Sequence, residues 1–101
     1  MAKRIIVWTH TAQKQRRSIL EYWAVKNRST LYSEKLIWLI SEQTILISKN
    51  PTVFRLTDFK DIRVSSLGHF GIFYKYNESQ LIVVAFWDNR QDPQKLLDFL
   101  Q

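Results

Sequence analysis

Three hydrophobic rhythms succeed one another along the chain. Lys3 to Trp8 is apolar and β-branched at its core and reads as a first strand. It stops at Thr9-His10-Thr11, a run suited to a helix N-cap. From Thr11 to Asn27 the apolar residues Ala12, Ile19, Leu20 and Trp23 recur at helical spacing, while Gln13, Lys14, Arg16, Arg17, Glu21 and Lys26 fill most of the other face. Asn27 to Thr30 breaks the pattern and offers Ser29 or Thr30 as the next N-cap. A second helix, Leu31 to Ser48, is expected to bury Tyr32, Leu36, Leu39, Ile40, Gln43, Leu46 and Ile47, and Asn50-Pro51 ends it. The short turn between the two makes an antiparallel helical hairpin.

The rhythm then shortens to two. A weak strand is expected over Phe54 to Thr57, followed by an alternating one over Asp61 to Leu67, with Ile62, Val64 and Ser66 on one face and Asp61, Arg63 and Ser65 on the other. Leu67-Gly68-His69 reads as a tight turn, Phe70 to Tyr76 as the next strand and Asn77-Glu78-Ser79 as another turn. Gln80 to Trp87 is apolar at nearly every position, the mark of an internal strand covered on both faces. Asp88 to Asp92 is a polar turn, and Pro93 suits the first turn of a short terminal helix through Leu100. The order is β-α-α-β-β-β-β with a C-terminal helix: an α+β fold, a helical hairpin on a mostly antiparallel sheet. Ile62, Val64, Ile72 and Tyr74, or their neighbours, can supply the helix-covered face. The opposite face then carries Arg63 on one strand and His69, Phe73 and Lys75 or their neighbours on the next, a basic and aromatic concave surface.

Composition narrows the functional classes. At 101 residues the chain has room for one domain, spanning residues 1–101. An apolar content of 46%, with four Trp, four Tyr and six Phe, excludes a disordered chain. The absence of Cys excludes a disulfide scaffold and Cys-ligated metal centres, and fits a reducing compartment such as the cytoplasm. With two Gly there is no Gly-rich phosphate loop, and the two His lie in different segments, so neither cofactor nor metal is implied. No stretch approaches the length of a membrane span, and Ile5 to Trp8 is too short for a signal peptide. Fifteen Lys and Arg against nine Asp and Glu give a net charge of +6, which favours an acidic partner, either nucleic acid or an acidic protein.

Several side chains carry candidate chemistry, each with a plainer reading beside it. Arg63 can clamp a phosphate bidentately, or be a solvated sheet arginine or pair with Asp61 or Glu78. His69 at a turn can act as general acid or base, or simply be exposed. Tyr74 and Tyr76 can stack on a base or donate a hydroxyl, or bury their rings and leave the hydroxyl wet. Lys14, Arg16 and Arg17 form either an anion-binding patch or the solvated face of an amphipathic helix.

Taken in order, the motifs resemble a known family. They are the strand RIIVW followed by T-x-x-A, then Ile19, Tyr22 and Trp23 late in the first helix, and Asn50-Pro51 closing the second. D-I-R-V (Asp61 to Val64), G-H-F-G-I-F-Y-K-Y (Gly68 to Tyr76) and F-W-D-N-R-Q-D-P (Phe86 to Pro93) follow. This succession is similar to the RelE/ParE superfamily of type II toxin–antitoxin toxins, and it covers nearly the whole chain. The resemblance implies the fold read above and growth inhibition silenced by a cognate antitoxin that would form a hetero-oligomer with the chain. An acidic, amphipathic antitoxin segment would use the +6 charge, covering the basic concave face.

The superfamily has two branches. A RelE-like chain would cut mRNA on the ribosome, with Arg63 holding the phosphate, Arg90 as second cation, Lys60 adding charge, and Tyr74 or His69 handling protons. A ParE-like chain would bind DNA gyrase and trap it on cleaved DNA without catalysis of its own. Asp88 stands where many RelE-like relatives have histidine, and no glutamate base adjoins Arg63. The exposed Lys14, Arg16 and Arg17 and the R-Q-D-P ending fit the ParE-like branch, which is the reading preferred here. Lys60 and Lys75 join those three as candidate binding cations. A small RNA- or protein-binding domain without toxicity is the remaining alternative.

Overall fold

A computed structural model describes residues 4–100, so the predicted first strand position Lys3 lies outside the described residues. The elements are β1 (Ile5–Trp8), α1 (His10–Asn27), α2 (Leu31–Lys49), β2 (Arg55–Leu56), β3 (Arg63–Leu67), β4 (Phe70–Tyr76), β5 (Gln80–Asp88) and α3 (Pro93–Leu100). All the predicted elements form, with shifted ends. Thr9 caps α1, its hydroxyl accepting the Ala12 N–H at 3.2 Å. The helix ends at Arg28, which takes the left-handed conformation (φ 51°) usually left to glycine. At the start of α2 the Ser29 hydroxyl accepts the Leu31 N–H at 3.2 Å, although Thr30 is the cap residue. Asp61 also has a positive φ, 63°, and the turn it makes shortens β3 by two residues against expectation.

The five strands form one sheet in the order β1-β5-β4-β3-β2. β1 runs parallel to β5, and every other pair is antiparallel. The β3–β4 hairpin turns through Gly68 and His69; only Gly68 has a positive φ there, 61°, which a side chain would resist. Asn77 organises the β4–β5 turn, its side-chain oxygen accepting the Ser79 and Gln80 N–H groups at 2.9 and 2.8 Å.

Helices α1 and α2 cover one face of the sheet. The core between them holds Ala12, Leu36, Ile40 and Ile47 from the helices and Phe70, Ile72, Tyr74, Leu81, Val83 and Phe86 from the sheet. On α2 the buried residues are Ser33, Leu36, Ile40, Thr44 and Ile47. That rotates the helix from the expected setting: Tyr32 and Leu46, assigned to the core, are exposed. Gln43 does turn inward, and its amide donates to Ser65 Oγ at 2.6 Å.

The register bears out Ile72 and Tyr74 on the helix side and Phe73 on the other, and corrects Ile62, Val64 and Arg63. Residues opposite one another in an antiparallel ladder share a face. Arg63 pairs with Tyr74, Ser65 with Ile72 and Leu67 with Phe70, so Arg63 lies on the helix side. Val64 pairs with Phe73 on the other side. Alternation separates Arg63 from Val64 in sequence but does not say which of the two meets the helices, and the small Ser65 and Ser66 leave both registers open. Ile62 and Val64 instead join Phe73, Ala85 and Trp87 in a second cluster under Phe59, Leu96 and Leu100. The outer face is therefore a small apolar core roofed by α3 and the loop before β3, not the basic concave surface expected; Lys75 is exposed beside it.

β5 serves both cores because it contains a bulge. Phe73 pairs with Ala85 and Tyr74 with Val83, leaving Val84 as the extra residue. Leu81 and Val83 before it, and Phe86 after it, all reach the helix-side core. One inserted residue switches the parity of the strand, which is why its sequence reads as a continuous apolar run.

Candidate functional site

The residues singled out for RNA chemistry occupy two separate places. At one end of β3 and β4, Tyr74 is fully buried and its hydroxyl donates to Pro51 O at 2.6 Å. Burial pushes its pKa up to about 12, against the lesser opposing pull of Arg63. Arg63 is half-buried beside it and donates through one Nη1 to Phe54 O at 2.7 Å and Thr52 O at 3.2 Å. Neither Asp61 nor Glu78 is its partner. Together the two side chains hold the segment Pro51 to Phe54 between α2 and β2. A phenol that cannot reach solvent and a guanidinium committed to carbonyls are positioned for holding the chain together, not for shuttling protons.

His69 and Arg90 lie at the other end. His69 is exposed in the β3–β4 turn, and its carbonyl accepts the Asn89 N–H at 2.8 Å. It stands five residues along the strand from Tyr74, about 17 Å at strand rise. Arg90 closes a bidentate pair with Asp88, Nε to Oδ1 at 2.9 Å and Nη2 to Oδ2 at 2.7 Å. Those bonds hold the Asp88 carboxyl below its ordinary pKa and raise that of Arg90. Among the described residues it is the one ion pair.

The candidate binding cations do not form one patch either. Arg16 turns to the far flank of α1 and stacks on the Trp8 ring, 4.1 Å from its centroid, where burial lowers its pKa. Arg17 is exposed, and so is Lys60 in the loop before β3. Lys14 alone of the helix trio faces the groove described next.

That groove runs along α1, between it and the C-terminal half of β5. Two clefts, of about 300 and 420 Å³, share Ser18, Ile19, Asp88 and Gln91 and so adjoin. The first is lined by Lys14, Gln15, Phe86, Trp87 and Phe99, and the second by Tyr22, Trp23, Lys26 and Arg90. The far end is a cation–aromatic cluster. Lys26 Nζ lies 5.1 Å from the Trp23 ring centroid and Arg90 Cζ 5.5 Å from the same centroid. Tyr22 and Tyr32 meet Trp23 edge-on at 5.2 and 5.4 Å. Aromatic rings and cations that pair with them are the groups enriched where proteins recognise one another.

A strand edge opens into the same groove. β1 accompanies β5 only from Gln80 to Val83, and Thr9 closes that ladder, donating its N–H to Val83 O at 3.0 Å. Beyond that point the α1 side chain Gln15 takes over, its Oε1 accepting the Phe86 N–H at 2.8 Å while its buried Nε2 has no partner among the described residues. Tyr22, Trp23, Lys26 and Gln15 were not among the expected site residues. The spacing of Ile19, Tyr22, Trp23 and Lys26 was a usable signal, but it reads equally as a core stripe, and only the 55% exposure of Tyr22 separates the two.

Comparison with known proteins agrees with this architecture. The family model described as the ParE toxin of the type II toxin–antitoxin system parDE matches residues 6–93. No curated protein gives a significant sequence match. Among solved structures, the chromosomal ParDE toxin–antitoxin system from P. aeruginosa superposes with a TM-score of 0.72 at 15% identity, over 83% of this chain and 94% of that one, a likeness of fold. The family match spans nearly the whole chain and the fold agrees with it: the chain belongs to the ParE toxin family of type II toxin–antitoxin systems.

Proposed function

We propose that this ParE-family chain acts in the cytoplasm by inhibiting DNA gyrase, and that a cognate acidic antitoxin silences it by filling the α1–β5 groove. The observation that carries the reading is the division of labour just described. Arg63 and Tyr74 are committed to internal carbonyls, whereas Lys14, Lys26 and the Arg90 paired with Asp88 rim an open groove floored by Ile19, Trp23 and Phe86. Cations around an aromatic floor suit an acidic, amphipathic protein segment. Its burial should reach roughly 1,000 Å² in total, as stable interfaces require. Among the described residues no helix is long and apolar enough to cross a membrane.

One observation favours the RelE-like alternative. His69 adjoins the Asp88–Arg90 pair, its carbonyl accepting the Asn89 N–H at 2.8 Å. A pulse-labelling time course after brief induction in a bacterium separates the readings. Arrest of DNA synthesis while translation continues supports gyrase; early arrest of translation, relieved by His69→Ala or Arg90→Ala, supports mRNA cleavage. Co-expression with the neighbouring reading frame tests the antitoxin: the proposal expects a stable complex, and failure to co-purify counts against it.

A further inference from the structure

The α1–β5 groove does not use the outer face of α2. Leu31, Trp38 and Ile45 stand there at 75%, 61% and 41% exposure. Their spacing of seven residues puts them nearly on one line, drifting only about 20° per step. Lys35, Glu42 and Lys49 interleave at the intervening turns of the same stripe and are also exposed. The line lies diametrically opposite the buried positions Ser33, Leu36, Ile40, Thr44 and Ile47. A tryptophan and two aliphatics at heptad spacing, with charges between them, form a seam for another helix.

We propose that the occupant is a second copy of this chain, packed α2 against α2 about a two-fold axis near Trp38. The charges argue for self-recognition. In the antiparallel register that brings the two Trp38 side chains together at the axis, Leu31 of each copy faces Ile45 of the other, and Lys35 lies on the same flank as the other copy's Glu42, about one residue rise (~1.5 Å) from level with it. Within one helix Lys35 and Glu42 are about 10.5 Å apart along the axis, too far to bridge, and neither makes an ion pair among the described residues. A two-fold interface requires that a surface complement itself, and this pairing does so twice. Glu34, Lys35, Glu42 and Lys49 also make the stripe electrically balanced. An acidic partner is therefore drawn to the cationic groove along α1 rather than here. One helix per copy buries an area at the low end of specific interfaces, so the dimer should be concentration-dependent with a Kd on the order of 10 μM.

Sedimentation equilibrium on the chain made by cell-free synthesis, from about 1 μM to a few hundred μM, tests this without reference to toxicity. The expected mass rises from 12.1 kDa toward twice that value. Trp38→Glu should weaken association at least tenfold, with circular dichroism showing the fold retained, since the side chain is exposed. Lys35→Glu and Glu42→Lys should each weaken the dimer by roughly threefold to tenfold, and the double exchange should restore it. A wild-type mass fixed at the monomer overturns the proposal. So does a dimer indifferent to Trp38→Glu, or a double exchange that fails to rescue. A monomeric wild type whose binding to a co-expressed antitoxin is lost on Trp38→Glu would give the stripe to that partner instead.

Discussion

Arg63 and Arg90 look alike in sequence, two strand-associated arginines in a basic chain, yet the two ends of the sheet use them in opposite ways. At the Arg63 end the guanidinium and the Tyr74 phenol are turned inward onto the carbonyls of Pro51, Thr52 and Phe54. At the Arg90 end the half-exposed guanidinium is held by the largely buried Asp88 carboxylate and laid across Trp23 at the rim of a groove. The first end is architecture, where hydrogen-bonding capacity is consumed within the chain. The second is surface, where the charge is paired with Asp88 and the remaining Nη1 makes no hydrogen bond among the described residues. A residue's chemical type says what it can do; its partners decide whether it is free to do it.

Mutations should separate the two ends in the order of their effect. Tyr74→Ala removes a fully buried ring and its bond to Pro51 O, and should cost about 3–5 kcal/mol of stability by denaturant titration. Alkaline pH probes the same residue more gently. In the unfolded chain Tyr74 ionises near 10, but in the fold only near 12. The folded state thus holds the proton more tightly, and its contribution is intact below pH 10 and lost as pH rises through 12. The loss approaches about 2–3 kcal/mol by pH 12. Tyr74→Phe should flatten that part of the stability–pH curve; an unchanged curve would mean the hydroxyl is not buried as described.

Arg63→Ala breaks two charge-assisted bonds to carbonyls and should lower stability by about 1–3 kcal/mol. The fraction that remains folded should still inhibit growth. Toxicity lost with the melting temperature unchanged would move Arg63 from architecture to chemistry. Arg90→Ala should do the reverse. Its melting temperature should barely move, while the affinity for the antitoxin measured by calorimetry falls by roughly tenfold, the loss expected of an anchoring arginine. An Arg90 variant that unfolds but binds normally would invert the comparison.

The elements were legible in the sequence because each rests on local physics: Thr9 and the break at Asn27 to Thr30 bound α1, Asn50-Pro51 ends α2, and Gly68 and Asn77 mark the β turns. The sheet faces were not, because Arg63, Val64 and Ser65 alternate identically in either register, and only pairing with Tyr74 decides. The Val84 bulge was equally hidden, since an inserted residue in an all-apolar run leaves no change of pattern. The candidate site was readable only in part. Lys14, expected as a binding cation, lines the groove, and Arg90, expected as a cation for RNA cleavage, stands at its rim, but the cluster around Trp23 needs Lys26 from α1, Tyr32 from α2 and Arg90 from beyond β5. Those three are distant in sequence, and no spacing rule joins them.

The most direct test of the proposed function is a supercoiling assay with purified DNA gyrase, run beside a cleavage assay on ribosome-bound mRNA. The expected result is inhibition of supercoiling with accumulation of cleaved DNA, unaffected by Arg63→Ala in the folded fraction, and intact mRNA. Cleaved mRNA with gyrase unaffected, abolished by a folded His69→Ala or Arg63→Ala variant, would contradict it.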